Sequence, residues 1–167
     1  GTLAVRIKMI QMPQLVALLN GIGGFASALV GTLTLLGIGV LENDYIIFSE
    51  TTAVLAIVVG MVTLVGRLVA AGKLHGIISQ KPVIWKNHSV VLNTIIILLL
   101  ATVLFAAFMR SEWTFSYETN IAIVLAISIG VSALFGYAFS IRVGGADMPI
   151  TISLLNSLSG VAGAIAG

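Results

Sequence analysis

Residues Ser89–Met109 read SVVLNTIIILLLATVLFAAFM, a run that carries no charged side chain. A helix needs roughly 20 apolar residues to cross about 30 Å of hydrocarbon, and this run supplies them without a break. The rest of the chain is of the same kind: of 167 residues, 59% are hydrophobic and 8% charged. That is more apolar side chain than a soluble domain of this length can hide, so lipid is the solvent. The short segments of alternating polarity that build a transmembrane barrel are absent. The fold class is therefore all-α, a polytopic transmembrane helix bundle.

Working outward from that span, the Gly72–His88 stretch before it carries Lys73, His75, Lys81, Pro82, Lys86 and His88, and is expected to be a loop outside the membrane. Thr51–Ala71 is a second span, and Glu42–Glu50 a polar connection. Leu15–Leu41 is a first span, preceded by Pro13, a residue that suits a helix start. Downstream, Arg110–Glu118 connects to a fourth span over Thr119–Ile141. A tight Gly144-Gly145-Ala146-Asp147 turn then leads to a fifth span from Pro149. The expectation is about five helices in one transmembrane domain, at 15–41, 51–71, 89–109, 119–141 and 149–167. No signal peptide is recognisable at the start and the sequence stops inside an apolar run, so both ends read as cut points in a longer chain.

A net charge of +2 and a pI near 9.2 could point to an anionic partner, but in a membrane protein basic residues report topology. With five alternating spans, one side receives Arg6, Lys8, Arg67, Lys73, Lys81, Lys86 and Arg142, and the other only Arg110. The first side is expected to be cytoplasmic, and nucleic acid is not an expected partner. The chain has no cysteine, which removes thiol chemistry and thiolate metal sites.

Small residues four apart mark faces on which membrane helices approach closely. Gly23, Ser27 and Gly31 form such a row on the first span, Ser128, Ser132 and Gly136 on the fourth, and Asn156, Gly160 and Ala164 on the fifth. The third span has almost no small or polar face and is expected to be the outer, lipid-facing helix.

Polar groups inside a span either pack helices together or line a wet path. Asn20 lies in the first span, while Ser153, Asn156, Ser157 and Gly160 share one face of the fifth. A file of water could follow that stripe, but from the residues alone hydrogen bonding between helices is the favoured reading. Arg67, the one full charge well inside a span, reads as a side chain snorkelling from the last turn of its helix to the headgroups. Asp147 reads as a helix cap, and His75 and His88 as solvated loop residues. The glycine pairs Gly23-Gly24 and Gly144-Gly145 do not follow strands and are not nucleotide loops. Neither a catalytic constellation, a cofactor-binding motif nor a metal-ligand spacing is present.

Four stretches give the sequence a family likeness: QMPQLVA at 11–17, AGKL at 71–74 with SQKP at 79–82, GGADMP at 144–149, and SLLNSLSG at 153–160. In this order and spacing they resemble the β subunit of the proton-translocating NAD(P) transhydrogenases, specifically its membrane domain. The resemblance implies an enzyme that transfers hydride between NADH and NADP⁺ while protons cross the membrane. NAD(H) and NADP(H) would be bound by other domains, the NADP(H)-binding domain being absent from this chain. It further implies a proton path through Asn156 and a coupling position toward the NADP(H)-binding domain at Asp147. Ser153 and Ser157 on the same face as Asn156, with Asn20 facing them from the first span, are expected to share that path, and Arg142 to share the coupling surface. Expected partners are membrane lipid, transmembrane helices of the α subunit, the NAD(H)- and NADP(H)-binding domains, and further copies of the holoenzyme, in a bacterial inner membrane. Two positions depart from the pattern. Asn20 stands where many relatives have histidine, and Arg67 where they have a small residue. Asparagine cannot titrate, so a proton-binding role does not transfer to Asn20. A secondary-transporter fragment and a structural membrane scaffold are the rival readings.

Overall fold

The computed structural model describes residues 12–38, 45–110 and 116–143, with residues 150, 153, 154, 157, 160, 161 and 164. Helix α1 spans Met12–Leu35, α2 Ile46–His75, α3 His88–Ala107 and α4 Tyr117–Ile141. All four are long and apolar enough to cross a membrane, and no strand occurs among the described residues. The chain is thus an all-helical, integral membrane bundle. Of the expected fifth span, every described residue is helical. Valine and isoleucine are frequent in these helices in spite of their modest helix propensity; hydrocarbon offers backbone N–H and C=O groups no other partner, and the helix satisfies them internally.

The bounds of α1 and α2 differ from the sequence expectation. Helix α1 stops at Leu35, where the chain turns through Gly37 at φ +75°, a left-handed conformation that favours glycine. Helix α2 starts before Thr51 and runs on to His75. It ends at Gly76, whose φ is +81° and whose N–H bonds back to the Gly72 and Lys73 carbonyls. Lys73 and His75 are therefore helical residues rather than loop residues.

Helix α2 is the centre of the bundle. Some 61% of its most apolar stretch is buried, against 22–28% for the other three. Helix α3 is the least buried, in keeping with its lack of a small or polar face. Contact with α2 is made at glycines. A Cβ on Gly60 would stand 2.5 Å from the Gly24 carbonyl oxygen, one on Gly31 2.5 Å from that of Ala53, and one on Gly136 2.8 Å from that of Val62. Only a missing side chain permits such approach.

Ser128, Ser132 and Gly136 are buried as expected for a contact row. The α1 row is shifted. Ala17, Gly21, Gly24, Ala28, Gly31 and Leu35 are buried, while Gly23 is exposed with nothing within 4 Å of its would-be Cβ. Alternating steps of four and three residues follow the 3.6-residue turn, so this face stays on α2 for the length of the helix. Described positions in the third row, Gly160 and Ala164, are exposed; Asn156 lies outside the described residues.

Candidate functional site

The bundle has two polar ends. At one of them α4 finishes, and its last carbonyls have no partners within the helix. Lys73 reaches them from α2: its buried Nζ donates to the carbonyl oxygens of Ile141 and Val143, each at 2.6 Å. The Val83 N–H also donates to Ile141 O, at 2.9 Å. His88 supplies a further bond. Its Nδ1 accepts from the Trp85 N–H at 3.2 Å, which leaves Nε2 as the protonated nitrogen that donates to Ala138 O at 2.8 Å. The Trp85 indole stacks on the imidazole, with ring centroids 5.0 Å apart. His88 is consequently buried at the first turn of α3 and not solvated in a loop. A cation at a helix C-terminus also opposes the helix dipole favourably.

Arg142 stands between the two carbonyls that Lys73 holds, and its side chain is exposed. The chain thus leaves α4 from a fixed point toward the GGADMP stretch. Asp147 itself lies outside the described residues, as does Asn156.

Arg67 departs from the snorkelling expectation: it is fully enclosed. Because α2 continues to His75, Arg67 lies two turns inside the helix rather than at its end. Its stem faces α1, where a Cβ on Gly21 would sit 3.7 Å from Arg67 Cβ. Asn20, next to Gly21, is half-buried at this α1–α2 contact. The burial of Arg67 could not have been read from spacing, because it depends on which face of α2 meets α1. Ser153 and Ser157 are exposed in the described structure and line an open groove with Ile150 and Leu154; the Ser157 hydroxyl donates to Ser153 O at 3.3 Å.

The other polar end joins the finish of α1, the start of α2, the finish of α3 and the start of α4. Glu50, 97% buried by its 3% exposure, is its centre. Arg110 donates to Glu50 Oε1 through Nε at 3.1 Å and Nη2 at 2.8 Å, and the Tyr117 hydroxyl donates to the same oxygen. The guanidinium also lies over the Tyr117 ring, 4.2 Å from its centroid. Glu50 holds the Arg110 pKa above the ordinary arginine value, first through the hydrogen bonds. Just inside, the Asn120 amide donates to Met109 O at 2.9 Å, tying α4 to the end of α3. In the sequence Glu50 reads only as the last residue of a polar connection. The described residues offer no strand–turn–helix cradle for a dinucleotide, and no group of three metal-ligating side chains.

A profile of the NAD(P) transhydrogenase beta subunit matches residues 1–167. The chain belongs to that family. Two relatives named NAD(P) transhydrogenase subunit beta, both from Rhodospirillum rubrum, are each 35% identical over 168 residues, covering 97% of this chain. The chain spans about a third (34%) of the length of these relatives. For the transhydrogenase family member described here, the two polar ends, the Arg67–α1 contact and the face carrying Ser153 and Ser157 are the candidate sites within its membrane bundle.

Proposed function

We propose that this chain forms part of the proton-conducting membrane domain of a proton-translocating NAD(P) transhydrogenase, coupling proton movement to hydride transfer between NADH and NADP⁺. The observation that carries the reading is the whole-length match to the beta-subunit family of a chain whose described helices are built to cross a membrane. Hydride chemistry belongs to other domains that bind NAD(H) and NADP(H); this chain contributes conduction and coupling. Asn156, Ser153 and Ser157 form one wall of the path, with Asn20 on α1 as a further water contact. Hydroxyls and amides align water but do not titrate near neutral pH, so a titrating group must come from another helix, contributed by the α subunit. Asp147 and Arg142 form the coupling surface toward the NADP(H)-binding domain. The clamp of Lys73 and His88 on α4 supports this, because it gives the segment after Arg142 a rigid base. The holoenzyme is a homo-oligomer in a bacterial inner membrane, with the Lys73–His88 end cytoplasmic.

Proton pumping by reconstituted holoenzyme, measured beside hydride transfer by its soluble domains, tests the path. Asn156→Leu should abolish most pumping and Asn20→Leu should impair it, with hydride transfer intact in both. Full pumping by both variants would return the asparagines to helix packing and favour a scaffold role.

A further inference from the structure

Glu50 is bound very unevenly. One carboxylate oxygen, Oε1, accepts from Arg110 Nε, Arg110 Nη2 and the Tyr117 hydroxyl. The other, Oε2, is buried and has no hydrogen-bond partner among the described residues. A buried carboxylate oxygen left bare is costly, and a clamp serving structure alone would be better built by dividing the three donors between both oxygens. The residue also lines a partly open cavity of about 340 Å³, with Thr34, Ser49, Arg110 and Tyr117 as its other polar walls. Such a space holds several waters. It sits at the end of the bundle opposite the Lys73 and His88 clamp, because α1 and α3 finish here while α2 and α4 begin.

We propose that Glu50 is a proton-exchange site of the membrane domain, where its carboxylate takes up a proton from water in this cavity and gives it back. This rests on the proton-conduction reading above and adds to it an ionisable group at the face away from the nucleotide domains. In the step, a side-chain rotation turns Oε2 from its buried position toward the cavity. A hydronium there loses its proton as an O–H bond forms at Oε2; one water is left and the carboxylate becomes neutral. Return of the proton to cavity water restores the ion pair with Arg110. Among the described residues the charged or titratable groups facing Glu50 are Arg110, at the end of α3, and Tyr117, at the start of α4. Among the described residues, the end of α1 and the turn after it bring only Thr34, Leu35, Leu36 and Gly37 to the cavity.

The test uses reconstituted holoenzyme and two readouts. Infrared difference spectra on acidification should show the carbonyl stretch of a protonated carboxylic acid that is present in wild type and in Glu50→Asp and missing in Glu50→Gln. Proton pumping by Glu50→Gln should fall by on the order of a hundredfold, the low end of what a positioned proton-transfer group contributes, while Glu50→Asp keeps a substantial part. Glu50→Gln retains an oxygen for Arg110 and Tyr117, so assembly should be preserved; if it is not, the Glu50→Asp comparison and the wild-type spectrum still decide. An acid band unchanged in Glu50→Gln, or wild-type pumping by that variant, overturns the proposal. If Asn156→Leu abolishes pumping while Glu50→Gln does not, only the Glu50 relay fails. If wild-type holoenzyme moves no protons, the conduction reading fails with it, whatever the spectra show.

Discussion

Lys73 shows how much a single side chain can change meaning between sequence and structure. Among lysines and arginines counted for topology it is one charge of seven; in the fold it supplies the donors that the end of α4 lacks. Hydrogen bonds from a charged group contribute about 1.5–3 kcal/mol each. Lys73→Met should therefore destabilise the bundle by about that amount or more, because the Val143 carbonyl loses the Lys73 donor and the Ile141 carbonyl keeps only the Val83 N–H. Thermal unfolding in detergent checks this, with Lys81→Met, at an exposed position, as the comparison. Equal stability of the two variants would mean that water or lipid headgroups replace Lys73 without cost. His88 and Arg67 carry the same lesson. Neither burial was legible, since a polar residue near a helix end can lie outward or inward, and the choice depends on what packs beside it.

At the scale of the helix, what decides the bundle is where backbones touch. Gly60 meets Gly24 and Ala28 so closely that a methyl group must push α1 and α2 apart. Overpacking of this kind costs about 1–3 kcal/mol, and in lipid there is little hydrophobic force between helices to oppose the separation. Gly60→Ala should lower thermal stability by that amount, whereas Gly23→Ala, with nothing within 4 Å, should leave it unchanged or raise it slightly through better helix propensity. If the two alanine variants melt together, the α1–α2 contact is not as close as the geometry gives. The rows of small residues on α1 and α4 were visible in the sequence. On α4 the row was right; on α1 the choice between Gly23 and Gly24 was not legible, because adjacent glycines present both registers equally and only the partner helix selects one.

At the scale of the whole molecule the two polar ends differ in chemistry. One is a cationic clamp of Lys73 with His88, the other an ion pair with a water-sized cavity. Their separation by membrane-long helices places them at opposite faces of the bilayer. The bias of basic residues predicts that the clamp end is cytoplasmic. A cysteine introduced at exposed Ser79 should be protected from an impermeant thiol reagent added to intact cells, and one at exposed Tyr45 should react. The chain contains no native cysteine to confuse the labelling. The reverse pattern would invert the topology and with it the face to which the Glu50 cavity opens.

Composition and unbroken apolar length were enough to determine a helical membrane bundle, because hydrocarbon admits few other solutions for the backbone and the sequence excludes the barrel. The co-linear motifs were enough to place the chain in its family, because they are specific strings that need no geometry to be recognised. Tertiary structure alone decided which helix lies at the centre. Helices α1, α2 and α4 are all apolar with small residues, and lipid and protein interior favour the same side chains, so hydropathy cannot tell an inner face from an outer one. The same ambiguity hid Arg67, Lys73 and His88 inside the protein. It also hid the Glu50 site, which exists only where the ends of four helices bring Arg110 and Tyr117 onto one oxygen of a carboxylate some sixty residues away in sequence.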